Sequence, residues 1–193
     1  QIDANTAHYT SSTLEEEFYQ SAIFSSLFKD GDWQKGKHIN LVNSYSTANI
    51  HFPKNESFFY FSACDEDENC KIAFRNYEKQ ITEYLNDNIN RANSTNTQPH
   101  LTIHNKQKVM YFVSDRKGGY GGMDIWLSII DKQGNFGVPI NAGKMINTPA
   151  DEITPFFSKE ESALYFSSNK KGGLGGFDIF KTEGKFNLWE KPI

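Results

Sequence analysis

Tyr111-Phe112-Val113-Ser114-Asp115-Arg116-Lys117-Gly118-Gly119-Tyr120-Gly121-Gly122-Met123-Asp124-Ile125-Trp126 recurs 54 residues later, without a gap, as Tyr165-Phe166-Ser167-Ser168-Asn169-Lys170-Lys171-Gly172-Gly173-Leu174-Gly175-Gly176-Phe177-Asp178-Ile179-Phe180. A fainter copy, Tyr60-Phe61-Ser62-Ala63 followed by Cys70-Lys71-Ile72-Ala73-Phe74, lies 51 residues upstream of the first. There the glycine turn is replaced by an acidic loop between two cysteines. Repetition at this period marks a repeat architecture, in which one unit buries its apolar face only by stacking on the next.

Each copy reads alike: an interrupted strand, a second strand containing Tyr-Phe, a turn, then a third strand. Leu101–Ile103, Val109–Val113 and Asp124–Ile129 form one set. Phe156–Phe157, Ala163–Ser167 and Asp178–Lys181 form the next, and Ile50–Phe52, Phe58–Ser62 and Ile72–Phe74 the divergent one. A fourth strand follows a turn, at Asn135–Pro139 after Gly134 and at Leu188–Pro192 after Gly184. Upstream, Ala22–Phe28 and Gly31-Asp32-Trp33 read as the third and fourth strands of an incomplete unit. The pattern predicts an all-β protein, a β-propeller of four-stranded antiparallel blades, with about three complete blades and a partial one. The divisions are 1–47 for an N-terminal segment with the partial blade, 48–98 for the divergent Cys-containing blade, 99–148 and 149–193 for the other two. So short an arc leaves edge strands exposed. The expectation is therefore part of a larger, six-bladed propeller, completed by further chain or by a partner. Two local expectations follow as well. Thr13-Leu14-Glu15-Glu16 has the form of a capping box and predicts a short helix through Gln20. Asn86–Thr97, rich in Asn and Ser, reads as an exposed loop.

Composition narrows the function classes. The 193 residues hold 20 Lys plus Arg against 24 Asp plus Glu, a net charge of -4, so no basic excess exists to displace counterions from nucleic-acid phosphates. No apolar run approaches the ~20 residues of a membrane helix. Aromatic residues make up 15% of the chain, too many for a disordered segment and in keeping with strands. The chain starts at Gln1, which suggests removal of a signal sequence, a lipoprotein leader or an upstream region.

The motifs that carry chemistry elsewhere are weighed against turn structure here. Gly118, Gly119, Gly121 and Gly122, like Gly172, Gly173, Gly175 and Gly176, resemble a phosphate cradle, yet strand-like residues follow them instead of Lys-Ser/Thr or a helix. They read as tight inter-strand turns, with Asp124 and Asp178 placed to accept backbone N–H groups. Asp65, Glu66, Asp67 and Glu68 imitate a calcium loop, but Cys70 stands where glycine is needed and Asn76 where glutamate is needed. They read as a solvated hairpin tip, a docking surface for a basic partner. Cys64 and Cys70 could meet across that hairpin as a disulfide or lie as buried thiols. On a strand, His100 and His104 stand ~13 Å apart, too far for one metal. No metal, cofactor or catalytic residue is assigned, and the chain is expected not to be an enzyme.

The pattern Tyr-Phe-x-Ser-Asp/Asn-Arg/Lys-x-Gly-Gly-x-Gly-Gly-x-Asp-Ile-Trp/Phe resembles the WD-repeat-like, TolB-type propeller blades of Bacteroidota envelope proteins. Ile146-Asn147-Thr148-Pro149-Ala150-Asp151-Glu152-Ile153-Thr154-Pro155-Phe156 matches the inter-blade linker of that family, and the paired cysteines fit its equivalent blade. The resemblance covers roughly residues 48–193 and is most specific over 99–181. It implies a scaffold or protein-interaction role, a periplasmic or outer-membrane location with a lipid anchor upstream of Gln1, and envelope proteins of type IX secretion or gliding machinery as partners. Peptidoglycan contact would come only through companion OmpA-like domains, which lie outside this sequence. The rival reading is a carbohydrate-binding or glycan-processing propeller.

Overall fold

The computed structural model describes residues 5–15, 18–54, 56–186 and 188–193. All regular elements among them are strands, arranged as four antiparallel sheets of four strands each. The first holds β1 (Thr6–Glu15), β2 (Phe18–Lys29), β3 (Asp32–Trp33) and β4 (Lys37–His38). The second runs β5 (Ser46–His51), β6 (Phe58–Cys64), β7 (Cys70–Asn76), β8 (Ile81–Tyr84). The third runs β9 (Asn96–His104), β10 (Gln107–Ser114), β11 (Asp124–Ile130), β12 (Ile140–Asn141). The fourth runs β13 (Glu152–Ser158), β14 (Ala163–Ser168), β15 (Asp178–Lys185), β16 (Leu188–Trp189).

The sheets pack in chain order, as blades of a propeller. β1 and β2 lie against β5, β5 to β7 against β9, and β9 to β11 against β13. Strand alternation supplies a core on each side of a sheet. Phe59 and Phe61 of β6 face the first sheet with Ile23 and Leu41, whereas Tyr60 faces the third with Ile72, Leu101 and Phe112. Ile125, Leu127 and Ile146 of the third unit meet Phe157, Leu164 and Phe166 of the fourth.

Three sequence expectations are corrected. The helix expected at Thr13–Gln20 is a strand hairpin, with β1 paired to β2 from Thr6–Leu27 to Glu15–Phe18; Glu16 lies outside the described residues. A run of Thr and Ser residues pairs well across strands, as in the 2.7 Å hydroxyl bond between Ser12 and Ser21, and too few residues follow the cap to repay helix nucleation. The expected partial blade stands, with Ala22–Phe28 on β2 and Asp32–Trp33 on β3, and forms a sheet of four strands. Within it, the carbonyl of Ile23 accepts from Ile39 N, as Ile72 accepts from Leu85 N and Ile125 from Ala142 N. That shared bond makes β2 the third strand of its unit and β1 the second. The fourth strand of the third unit is only β12, with a single bridge at Phe136, since Pro139 has no N–H to give a ladder. Finally, Asn86–Thr97 is a loop as far as β9 but is exposed only in part: residues 86, 87 and 91–93 are exposed, while Ile89, Asn90, Thr95, Asn96 and Thr97 are buried.

Candidate functional site

The glycine turns build the seam between neighbouring sheets. The Asp124 carboxylate accepts Tyr120 N (2.6 Å), Gly121 N (3.1 Å) and Asn141 Nδ2 (2.8 Å), which ties turn, third strand and fourth strand together. Asp178 accepts Leu174 N (2.9 Å) in the next unit. A Cβ on Gly119 or Gly173 would strike that carboxylate. Gly118 and Gly172 hold φ of 99° and 96°, a backbone that only glycine adopts without strain.

The linker into the fourth sheet closes on this turn. A Cβ on Gly121 would enter the carbonyls of Thr148 and Ala150, and one on Gly122 would enter the Asp151 carboxylate. Met123 N donates to Asp151 Oδ1 (2.9 Å), and Glu152 N to Met123 O (2.7 Å). Asn147, fully buried, accepts Ile125 N at Oδ1 (2.9 Å) and donates from Nδ2 to Ile125 O (2.9 Å). Asn90 clamps Ile72 in the same way, at 2.7 and 2.8 Å. These Ile-Asn pairs went unnoticed in the sequence, although Ile89-Asn90 and Ile146-Asn147 are visible as a repeat.

On the fourth sheet the same surface is open. Ile23, Ile72 and Ile125 are 0% exposed, whereas Ile179, the next in register, is 77% exposed. Phe156 and Phe177 are exposed on the same sheet, and a Cβ on Gly175 or Gly176 would meet nothing within 4 Å. Lower on this face, Leu127 and Ile129 of the third sheet are replaced by Lys181 and Glu183. Lys181 Nζ (2.8 Å) and Tyr165 OH (2.5 Å) both donate to Glu161 Oε2. This pairing lowers the Glu161 carboxyl pKa and raises that of Lys181.

The inner strands carry a second constellation. β5, β9 and β13 each break register at one point, with Asn49 (φ 52°), Gln98 (φ 54°) and Thr154 (φ 53°) in the left-handed region. Thr97 Oγ1 donates to Asn49 Oδ1 (3.3 Å), and Thr154 N to Gln98 Oε1 (2.6 Å), so the bulges are linked from sheet to sheet. Two residues on, His51, His100 and Phe156 form a ring ladder with centroids 4.6 and 4.9 Å apart. His51 Nε2 donates to Leu101 O (2.9 Å). Burial first, and then the neighbouring His51, pushes the His100 pKa down to about 4. The Pro at 99 and 155, awkward inside a strand, was the available signal for these bulges.

The remaining predicted residues lie apart from both places. Cys64 and Cys70 form a disulfide across the β6–β7 hairpin. Asp65, Glu66, Asp67 and Glu68 are exposed at its tip, where Asp65 Oδ1 accepts Asp67 N (3.1 Å) and Asn69 N (2.9 Å). His104 is held by Tyr111 OH (2.6 Å) and Gly184 O (3.1 Å). Among the described residues no three His, Cys, Asp or Glu side chains gather as metal ligands. A cleft of about 1100 Å³ between the second and third sheets has Phe58, Tyr60 and Phe74 on its floor and Lys106, Lys108 and Lys132 at its rim. Burial and the Glu56 carboxylate raise the Tyr60 pKa.

No protein-family model matches the chain, and no curated protein matches it. Solved structures share the fold. A putative TolB from Agrobacterium tumefaciens superposes with a TM-score of 0.62 at 14% identity, over 97% of this chain and 64% of its own. A thermostable family-43 glycoside hydrolase gives 0.56 at 15%, over 98% of this chain and 73% of its own. A β-1,2-mannobiose phosphorylase from Listeria innocua gives 0.57 at 14%, over 90% and 53%. The expectation that the chain is not an enzyme is corrected by these matches: a hydrolase and a phosphorylase share the architecture, so it supplies no ground for excluding catalysis. Likenesses at this identity show the β-propeller fold alone.

Proposed function

We propose that the chain is a protein-interaction scaffold of a bacterial envelope assembly, with outer-membrane subunits of type IX secretion or gliding machinery as its partners. The observation that carries this reading is the open face of the fourth sheet, where Ile179 stands exposed at the position that the preceding sheets bury as Ile23, Ile72 and Ile125, with Phe156 and Phe177 exposed on the same sheet. Apolar surface of this kind, rimmed by charge, marks interaction sites. The Cys64–Cys70 bond supports a periplasmic or outer-membrane location, since disulfides persist in oxidising compartments. The test is gentle extraction from native membranes with mass spectrometry, for the wild type and for Ile179→Asp. Envelope subunits should co-purify at fixed stoichiometry with the wild type and be lost with the variant. A chain recovered alone with a bound glycan would overturn the scaffold.

The cleft favours a second reading, a carbohydrate-binding or glycan-processing propeller. Aromatic rings on a cleft floor suit the apolar faces of sugars, and Tyr60, only 7% exposed, lines the cleft with Phe58 and Phe74. Glycan titration followed by calorimetry, with Tyr60→Phe as the control, tests it. Equal binding by the two proteins, or none, would remove this reading.

A further inference from the structure

We infer that the open face of the fourth sheet accepts a short linker-like segment carrying the pattern Ile-Asn-x-Pro-x-Asp, and that this segment docks on the Gly175–Gly176 turn, Phe177 and Ile179. The inference rests on the interaction reading above and adds the chemistry of the occupant.

The molecule itself shows what such a face takes. At the third sheet, the segment Ile146–Glu152 supplies an Asn carboxamide for Ile125 N and O, an Asp carboxylate for Met123 N, and carbonyls that lie where side chains of Gly121 would stand. Ile179, Phe177 and Gly175 occupy the equivalent positions in the fourth unit, 54 residues on. Ile179 is 77% exposed, and the space over Gly175 is empty. The upper half of the face thus repeats the docking surface in detail.

The lower half does not. Lys181 and Glu183 replace the apolar Leu127 and Ile129, and Lys181, Tyr165 and Glu161 satisfy one another. Covering them with an apolar sheet would strand charges away from water, which is costly unless they are repaired with new partners. The occupant is therefore a segment that fills the upper half and leaves the lower half wet. A second copy of this chain is a poor source, because Asn90 and Asn147 are already buried on their own sheets.

The probe is a synthetic peptide of residues 141–158, titrated into the 15N-labelled chain. Saturable shifts should appear at the amides of Gly175, Phe177 and Ile179. Asn147→Leu in the peptide should weaken binding at least about tenfold, the equivalent of one lost hydrogen-bonded contact. Ile179→Asp and Gly175→Val in the protein should abolish the shifts while moving its thermal midpoint little, since Ile179 is 77% exposed and a Cβ at Gly175 meets nothing within 4 Å. Absence of shifts, shifts confined to other residues, or dimerisation through this face would overturn the inference. If the peptide fails while Ile179→Asp still loses the native partners, the occupant's chemistry is wrong and the interaction reading stands. If both experiments fail, both readings fall.

Discussion

Single side chains do most of the joining in this protein, because its strands are short and its sheets meet through side chains and linkers. Asn147 is the clearest case. It occupies both the N–H and the C=O of Ile125 at a buried site, beyond the end of β12, and also donates to Asn141 Oδ1. Asn147→Ala should destabilise the fold by about 1–3 kcal/mol, because the buried Ile125 N–H loses its partner while the Ile125 carbonyl keeps only Ala142 N. Urea unfolding checks the figure, with Asn147→Asp as a contrast that keeps the acceptor and loses the donor. The glycines give a paired prediction. Gly121→Ala places a methyl in the Thr148 and Ala150 carbonyls and should cost about 1–3 kcal/mol, as overpacking does. Gly175→Ala, in open space, should stay within about 0.5 kcal/mol of the wild type. Equal losses at the two positions, measured by thermal unfolding, would mean that the turns respond to backbone conformation and not to the seam.

At the scale of the element, legibility followed local chemistry. The repeat Tyr111–Trp126 and its return at Tyr165–Phe180 exposed the second and third strands of each unit, because alternating apolar residues and a glycine turn are local signals. The inner strands were harder to see. Their bulges at Asn49, Gln98 and Thr154 answer to neighbouring sheets, through bonds such as Thr154 N to Gln98 Oε1, and a non-local bond leaves little trace in one sequence. Asn90 shows the same limit: a polar residue in a polar stretch looks solvated until its two bonds to Ile72 are drawn. Thr13–Glu15 failed for the opposite reason, since a local cap signal was overridden by pairing with β2. The β6–β7 hairpin was legible in outline, and its disulfide carries a prediction. Cys64 and Cys70 close a loop with sequence separation 6, so reduction, or Cys64→Ser with Cys70→Ser, should cost about 2 kcal/mol through the freer unfolded chain. Urea unfolding with and without reductant measures this, and an unchanged midpoint would show that the β6–β7 ladder holds the hairpin unaided.

Across the whole molecule, the axial ladder couples the sheets to pH. His100 sits between His51 of the second sheet and Phe156 of the fourth, 8% exposed, with its pKa held at about 4 against an ordinary 6.5. The unfolded chain regains the ordinary value and binds a proton there that the folded chain refuses. Stability from this group is therefore fully present above pH 6.5 and is lost progressively as the pH falls to about 4, where His100 charges in the folded state as well. The loss amounts to roughly 3 kcal/mol over that window, before any contribution from His51, whose pKa is lowered in the same direction by burial. His100→Phe separates this effect from the titration of carboxylates. Phe already stands at the equivalent position 156, so the ring ladder is kept and the titration is removed. The variant should lose less stability than the wild type between pH 6.5 and about 4, with the two converging in slope above that range. Parallel profiles for the two proteins would show that acid loosens the sheets through groups other than His100.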